Sequence, residues 1–419
     1  MNSVFISFYS NSEIKSNFAA NYCKYNNWKS NNLRKISFNF LIMKQLDNPF
    51  VVGKYVSPDY FCDRKQETAT LLKHLTNGRN VALISPRRMG KSGLIEHTFG
   101  QPALQAYRTF FIDIYGTRSF AEFIYLFGKS IFQQLKPLST QWRQRFVQVV
   151  RSLQVGIKFD PATASPMWDV SIGDISNPKI TLDEIFEYID SADSPCIIAF
   201  DEFQQIANYT DEVEIEAVLR SKIQHCRNAQ FIFAGSRRHL MSQMFLSPSK
   251  PFYQSVVTMG LEPIPLTAYT EFAVRLFSEN GKTVQPEVVE SVYNAYSGVS
   301  WFVQMMMNEL FALTAEGGTC TMEMLPIAQK NVINSQEMAF RTLMDTIPTK
   351  QKEVLLAVAK DGEAQNITSA AFVRRHRLTS PSSVQSAVKS LLATDLLTHD
   401  NGTYRVYDYF FADWLRTSF

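Results

Sequence analysis

Short apolar runs alternate with amphipathic stretches over much of this chain. Val81-Ala82-Leu83-Ile84 is an apolar run that predicts a buried strand over 81–85. Thr109–Ile114, Cys196–Phe200 and Gln230–Ser236 carry the same signal. Between these runs lie helical periods. One begins at Asp63, runs through Leu75 and is ended by Gly78. A second spans Ser119 to Leu135. A third spans Thr181 to Ile189, with Thr181 as its cap and Glu184 three residues on. Strands alternating with helices predict an α/β domain built on a parallel sheet. Asp160 to Pro178, with its Pro, Gly and Ser, predicts a long loop or insertion.

From Leu261 the pattern turns helical. Leu266–Phe272 opens a helix with Thr267 as its N-cap, and Pro286–Tyr296, Trp301–Ala315 and Met322–Met344 predict more. Met305-Met306-Met307 is read as packing, since Met fills irregular cores. From about Thr349 a third unit begins. Lys350–Ala359 is a helix ended near Gly362. A second is capped by Thr368, and a third runs from Ser383 to Leu392 with Pro381 near its first turn. Leu396–Tyr407 predicts a β-hairpin with Asn401-Gly402 at its turn. Three helices and a hairpin predict a winged helix. The expected divisions are 1–42, 43–260, 261–345 and 346–419.

Composition sharpens the ends of the chain most. Residues 1–42 are crowded with Asn and Ser, and ordered patterning starts at Met43. Two readings stand: a disordered extension, or a start assigned too far upstream with Met43 as the true first residue. The chain has 419 residues, enough for two or three domains, and a net charge of +3, which neither favours nor excludes nucleic acid. Its five cysteines, Cys23, Cys62, Cys196, Cys226 and Cys320, have no metal-ligand spacing. No apolar run approaches the ~20 residues that span a bilayer. A cytoplasmic protein is expected.

The candidate chemistry lies at strand ends. Ser85-Pro86-Arg87-Arg88-Met89-Gly90-Lys91-Ser92 matches the phosphate-loop pattern G-x-x-x-x-G-K-[ST] except at its first position. Gly90 lets the backbone bend close to phosphate, Lys91 can reach the outer phosphates, and Ser92 can ligate Mg²⁺. Gly93 follows in a helix N-terminus, which favours anions. Ser85 in place of Gly predicts a loop that is stiffer or differently shaped, because Gly adopts positive φ cheaply and Ser does not. Pro86 removes one N–H donor. Cys196-Ile197-Ile198-Ala199-Phe200 ends in Asp201-Glu202. Asp201 suits a metal site and Glu202 suits orienting and deprotonating a water. Ser236 and Arg237 end the next strand, where they either meet a terminal phosphate or leave Arg237 and Arg238 to solvent or nearby acids.

These segments, SPRRMGKS, IIAFDEFQQI and FIFAGSRRHLM, resemble the archaeal-type ATPase family of P-loop NTPases, close to the AAA+ and STAND classes. NPFVVGKYVSPDYFCDR resembles the entry segment of its bacterial members, and YRVYDYFFADWLR their terminal segment. The resemblance covers roughly Asn48 to the C-terminus. It implies an α/β P-loop domain, a helical lid and a C-terminal winged helix. It also implies ATP and Mg²⁺ as ligands, with Lys91 and Ser92 on phosphate and metal, Asp201 at the metal and Glu202 activating water. Ser236-Arg237 match the family's sensor position. Ser300 stands where the lid motif Gly-x-Pro has Pro, which puts lid contact with nucleotide in question.

The expected function is a Mg²⁺-dependent ATPase acting as a nucleotide-controlled switch. The alternative is a non-hydrolysing, nucleotide-stabilised adaptor. Double-stranded DNA through residues 368–407, a protein partner and oligomerisation stay open. Ser382, Ser383, Gln385, Ser386 and Lys389 can face bases, and Arg374, Arg375 and Arg377 phosphates. Asp395, Asp400 and Asp408 dilute that charge, so packing or protein contact is the other use of this module.

Overall fold

The apolar runs become the strands of a five-stranded sheet in a computed structural model of the chain. The structure describes residues 46–135, 156–159, 166–169, 178–210, 214–400 and 402–419. The readings placed on 1–42, on Met43 and on Asn401 lie outside the described residues. The chain divides into two compact units, Met1–Pro49 and Phe50–Phe419. In the first, the described residues 46–49 carry no helix or strand.

The elements of the second unit run in chain order as α1 (Lys65–Thr76), β1 (Val81–Ile84), α2 (Lys91–Phe99), β2 (Arg108–Asp113) and α3 (Phe120–Gln134). A separate antiparallel pair, β3 (Gly156–Phe159) and β4 (Pro166–Asp169), comes next. Then follow α4 (Pro178–Asp190), β5 (Cys196–Asp201), α5 (Ile215–His225), β6 (Ala229–Gly235), α6 (Arg238–Leu246) and β7 (Val257–Met259). The main sheet has the order β2-β5-β6-β1-β7, with every pairing parallel. Every residue of β5 is buried, and Ile197, Ile198 and Ala199 have no exposed surface. Fully burying one such Ile contributes about 1.5–3 kcal/mol. One face of the sheet packs on the Phe-rich cluster of Phe123, Phe127, Phe200 and Phe233. The other packs on Leu71, Leu94 and Ile95.

Several expectations need correction. Strand β4 lies inside the segment expected to be loop, and the rest of 160–177 lies outside the described residues. Helix α4 starts at Pro178, so Thr181 is buried within it and not its cap. Pro suits a first helical position because its missing N–H has no partner there anyway.

The helical region holds α7 (Leu266–Glu279), β8 (Thr283–Val284), α8 (Pro286–Ala295), α9 (Ser300–Leu313), β9 (Thr319–Cys320) and α10 (Leu325–Thr346). Pro265, not Thr267, is the N-cap of α7. Strands β8 and β9 form a short parallel pair absent from the sequence reading. Met306 and Met307 are buried, as packing requires. The final unit is α11 (Thr349–Asp361), β10 (Ala364–Gln365), α12 (Ala370–Arg375), α13 (Pro381–Ala393), β11 (Leu397–Asp400), β12 (Thr403–Val406) and α14 (Tyr409–Ser418). Ser369, not Thr368, caps α12, accepting from the Phe372 N–H. Ser380 caps α13 the same way from Ser383. The hairpin gains β10 as a third strand. One continuous apolar cluster joins the helical region to the winged helix, from Phe272 and Phe302 to Phe410 and Leu415.

Candidate functional site

Parallel strands bring distant motifs to one sheet edge. β6 lies between β5 and β1, so the loop after β1, Asp201 at the end of β5 and Ser236 after β6 converge there. Gly235 permits this approach. A Cβ at that position would collide with Met241 Sδ and Gln204 Oε1.

The loop between β1 and α2 is shaped by two left-handed residues, Arg88 (φ 68°) and Gly90 (φ 91°). Gly90 meets that demand without a Cβ penalty, whereas Arg88 is strained there. Ser85 is not among the positive-φ residues, so the absence of Gly costs nothing in backbone conformation at this position. Ser85 is instead buried, donating to the Leu261 carbonyl at 3.3 Å. Pro86 contributes its carbonyl, which accepts from Lys91 Nζ at 3.0 Å, beside the Ser85 carbonyl at 2.9 Å. Burial lowers the Lys91 pKa, opposed by the nearby Glu202 and Asp201 carboxylates. Met89 is buried in the cluster beneath the sheet. Gly93 lies in the first turn of α2. The N–H groups opening that helix cannot reach an intrahelical carbonyl.

Ser92 Oγ donates to Asp201 Oδ2 at 2.6 Å. The other Asp201 oxygen accepts from the Glu202 N–H at 3.0 Å. Burial raises the Asp201 pKa, the Ser92 hydrogen bond opposes this, and the neighbouring Glu202 charge adds to it. Glu202 is also left-handed (φ 54°). Its Oε2 accepts from Ser236 Oγ at 2.7 Å and from Gln204 Nε2. Arg87 Nε donates to the same Ser236 hydroxyl at 3.2 Å.

The structure thus brings together Arg87, Lys91, Ser92, Asp201, Glu202 and Ser236. Arg237 joins them through a shared acid: its Nη2 lies 3.1 Å from Asp395 Oδ2 of the winged helix, the oxygen that also holds Arg87. Arg238 pairs with Asp400 at 3.4 Å. Of the two uses considered for these arginines, acids are the partners observed. Arg88 pairs with Asp408 at 2.7 Å, and its guanidinium lies 4.1 Å from the Trp301 ring centroid.

A cavity of about 480 Å³ opens over the loop. The entry segment 51–55, Asp201, Glu202, Tyr269 and Gln304 line it. Ser300 and Trp301, at the start of α9, line it too. The Trp301 N–H donates to the Arg88 carbonyl at 3.1 Å. Four contributors escaped the sequence reading. Buried Arg64 donates to the Met89 carbonyl at 3.2 Å and the Glu262 carbonyl at 2.7 Å. Glu96 lines the cavity, its pKa raised by burial and then by Asp201. Asp395 and Asp408 arrive from the winged helix. Arg64 closes the entry segment, Asp408 lies in the terminal segment and Glu96 follows Lys91 by five residues, yet no local pattern marks what any of them contacts.

A parallel sheet with a Gly-Lys-Ser loop after one strand, and an acid-ended strand one place removed from it, defines the P-loop NTPase fold. Here it is joined to a winged helix. The family described as "probable winged helix domain" matches residues 338–417. Among solved structures, the chain is similar to the Walker-type ATPase of Pyrococcus abyssi. That match has 17% identity and a TM-score of 0.58, and covers 88% of this chain and 99% of the other. It is also similar to the ORC2 protein of Aeropyrum pernix in ADPNP–ADP complexes. There the identity is 12% and the TM-score 0.56, with 88% of this chain and 95% of the other covered. No curated protein sequence matches the chain. No helix among the described residues is long and apolar enough to cross a membrane.

Proposed function

We propose that this protein binds ATP with Mg²⁺ and hydrolyses it, and that the nucleotide controls a switch whose winged helix engages DNA or a protein partner. The observation that carries this reading is the Ser92–Asp201 pair, 2.6 Å apart across two strand ends beside Lys91. A hydroxyl and one carboxylate are hard oxygen donors, the set Mg²⁺ takes when phosphates and waters complete its shell. Among the described residues no group of three or more His, Cys, Asp or Glu could hold a metal without such help. Bound Mg²⁺ would neutralise phosphate charge. Ser92 and Asp201 would hold it, and Lys91 would turn from its loop carbonyls to phosphate oxygens. Glu202 would orient the attacking water and take its proton. Ser236 and Arg237 would sense the terminal phosphate. The loop residues 85–93 would supply the cradle. The adenine nucleotides named with the Aeropyrum pernix ORC2 structure support ATP over other triphosphates.

For DNA, the exposed Arg374, Arg377, Gln385 and Lys389 on and beside α12 and α13 offer the contacts. Absence of salt-sensitive duplex binding in the presence of ATP would remove that branch. Hydrolysis is tested by phosphate release from the parent protein and Glu202→Gln. The expected loss is about 100-fold or more, with ATP affinity retained. Equal background rates with tight binding would instead mark the non-hydrolysing adaptor.

A further inference from the structure

Asp395 occupies a position suited to an anion of different origin. It lies just after α13, in left-handed backbone (φ 56°). Its Oδ2 is 3.3 Å from Arg87 Nη1 and 3.1 Å from Arg237 Nη2, and it also accepts from Arg237 Nε at 3.2 Å. Those two guanidinium groups come from the loop after β1 and from the end of β6. One carboxylate oxygen therefore bridges two cations beside Ser236, which itself hydrogen-bonds Glu202. A phosphoryl oxygen asks for the same donors. The neighbouring arginines repeat the theme, Arg88 on Asp408 and Arg238 on Asp400. All three acids flank or belong to the β11–β12 hairpin.

We infer that Asp395 is a built-in stand-in for the terminal phosphate of a nucleoside triphosphate, and that such a ligand, unlike a diphosphate, displaces it and frees the β11–β12 hairpin from the sheet domain. This rests on the nucleotide reading above. Carboxylate and phosphate compete for Arg87 and Arg237, so each weakens the other's hold by the same factor. A ligand shifts this equilibrium only through groups that tell the two states apart, and here that group is the third phosphate. The contact can be exchanged because it is partly wet: the side chains of Asp395, Arg87 and Arg237 are 26%, 30% and 33% exposed. A phosphate carries more charge than the single carboxylate oxygen it replaces.

The test measures binding of ADP and of the β,γ-imido analogue of ATP, each with Mg²⁺, to the parent, Asp395→Asn and Asp400→Asn. Hydrogen exchange of the β11–β12 amides is followed in parallel. Asp395→Asn should tighten analogue binding about tenfold and leave ADP within about twofold. Asp400→Asn should change neither. In the parent, hairpin exchange should rise with the analogue and not with ADP. Unchanged or weakened analogue binding in Asp395→Asn would overturn the inference, as would equal tightening by Asp400→Asn. Binding of both nucleotides to the parent with identical hairpin exchange would overturn it while leaving the nucleotide reading intact. Failure of the parent to bind either would remove both.

Discussion

The inner and outer ends of the phosphate loop are held by different parts of the molecule. At the inner end, Lys91 and Ser92 bond to Ser85, Pro86 and Asp201, all on the sheet edge that carries the loop. At the outer end, Arg87 and Arg88 reach Asp395 and Asp408, more than three hundred residues away in sequence. Arg88 also lies against Trp301 of the lid. Asp408 serves twice there: Oδ2 holds Arg88, and Oδ1 caps α14 by accepting from the Phe411 N–H at 3.1 Å. On the proposed function, the inner end would hold the ligand and the outer end would couple it to the rest of the molecule. A loop joined to three modules at once would then pass a change at bound phosphates to the C-terminal unit.

The strongest way to break this division is to remove the tether beneath the loop. Arg64→Ala orphans the Met89 and Glu262 carbonyls and leaves Glu67 without its ion pair. A loss of about 3 kcal/mol is expected in denaturant unfolding, because buried acceptors lose a charged donor. An unchanged midpoint would show that the loop does not depend on it.

Arg88→Ala should cost less, about 2 kcal/mol, from one partly buried ion pair and the contact with Trp301. Protease cleavage should then appear first in the C-terminal unit. Cleavage beginning in the sheet domain would contradict the assignment of the outer end to coupling.

Asp201→Asn sharpens the inner end with the smallest change. Burial raises the Asp201 pKa, so the fold disfavours its charged form. The stability this group contributes is full below its unfolded pKa and is lost as pH rises through the folded one. Asn keeps hydrogen-bonding capacity without charge. In the absence of nucleotide, Asp201→Asn should therefore melt above the parent at pH 7, and the gap should close on acidification through the folded pKa. A lower Tm at pH 7 would mean that the Ser92 contact outweighs burial.

Strands β1, β5 and β6 were legible because each is a dense apolar run ending in a chemical signal: Ser85–Ser92, Asp201-Glu202 and Ser236-Arg237. Their meeting at one edge follows from parallel pairing. Strand β7 is short, Val257-Thr258-Met259, and only its pairing with β1 defines it. The β3–β4 pair was hidden by surrounding Pro, Gly and Ser. Caps moved by one or two residues at Ser369 and Pro265, where Ser and Thr crowd together or a Pro already sets the turn. The acids of the winged helix looked like diluted charge because nothing local marks their partners. Asp395 and Arg87 become neighbours only through the tertiary fold. Arg64 was equally silent, since its acceptors are backbone carbonyls and carry no residue signature.

The central claim is that the loop around Lys91 is a nucleotide site. Calorimetric titration of ATP with Mg²⁺ into the parent and Lys91→Ala tests it most directly, with Tm confirming that both are folded. The account predicts saturable binding to the parent and a loss of about 100-fold or more in the variant, since a buried cation serving the outer phosphates is removed. Equal affinity in two folded proteins would contradict it.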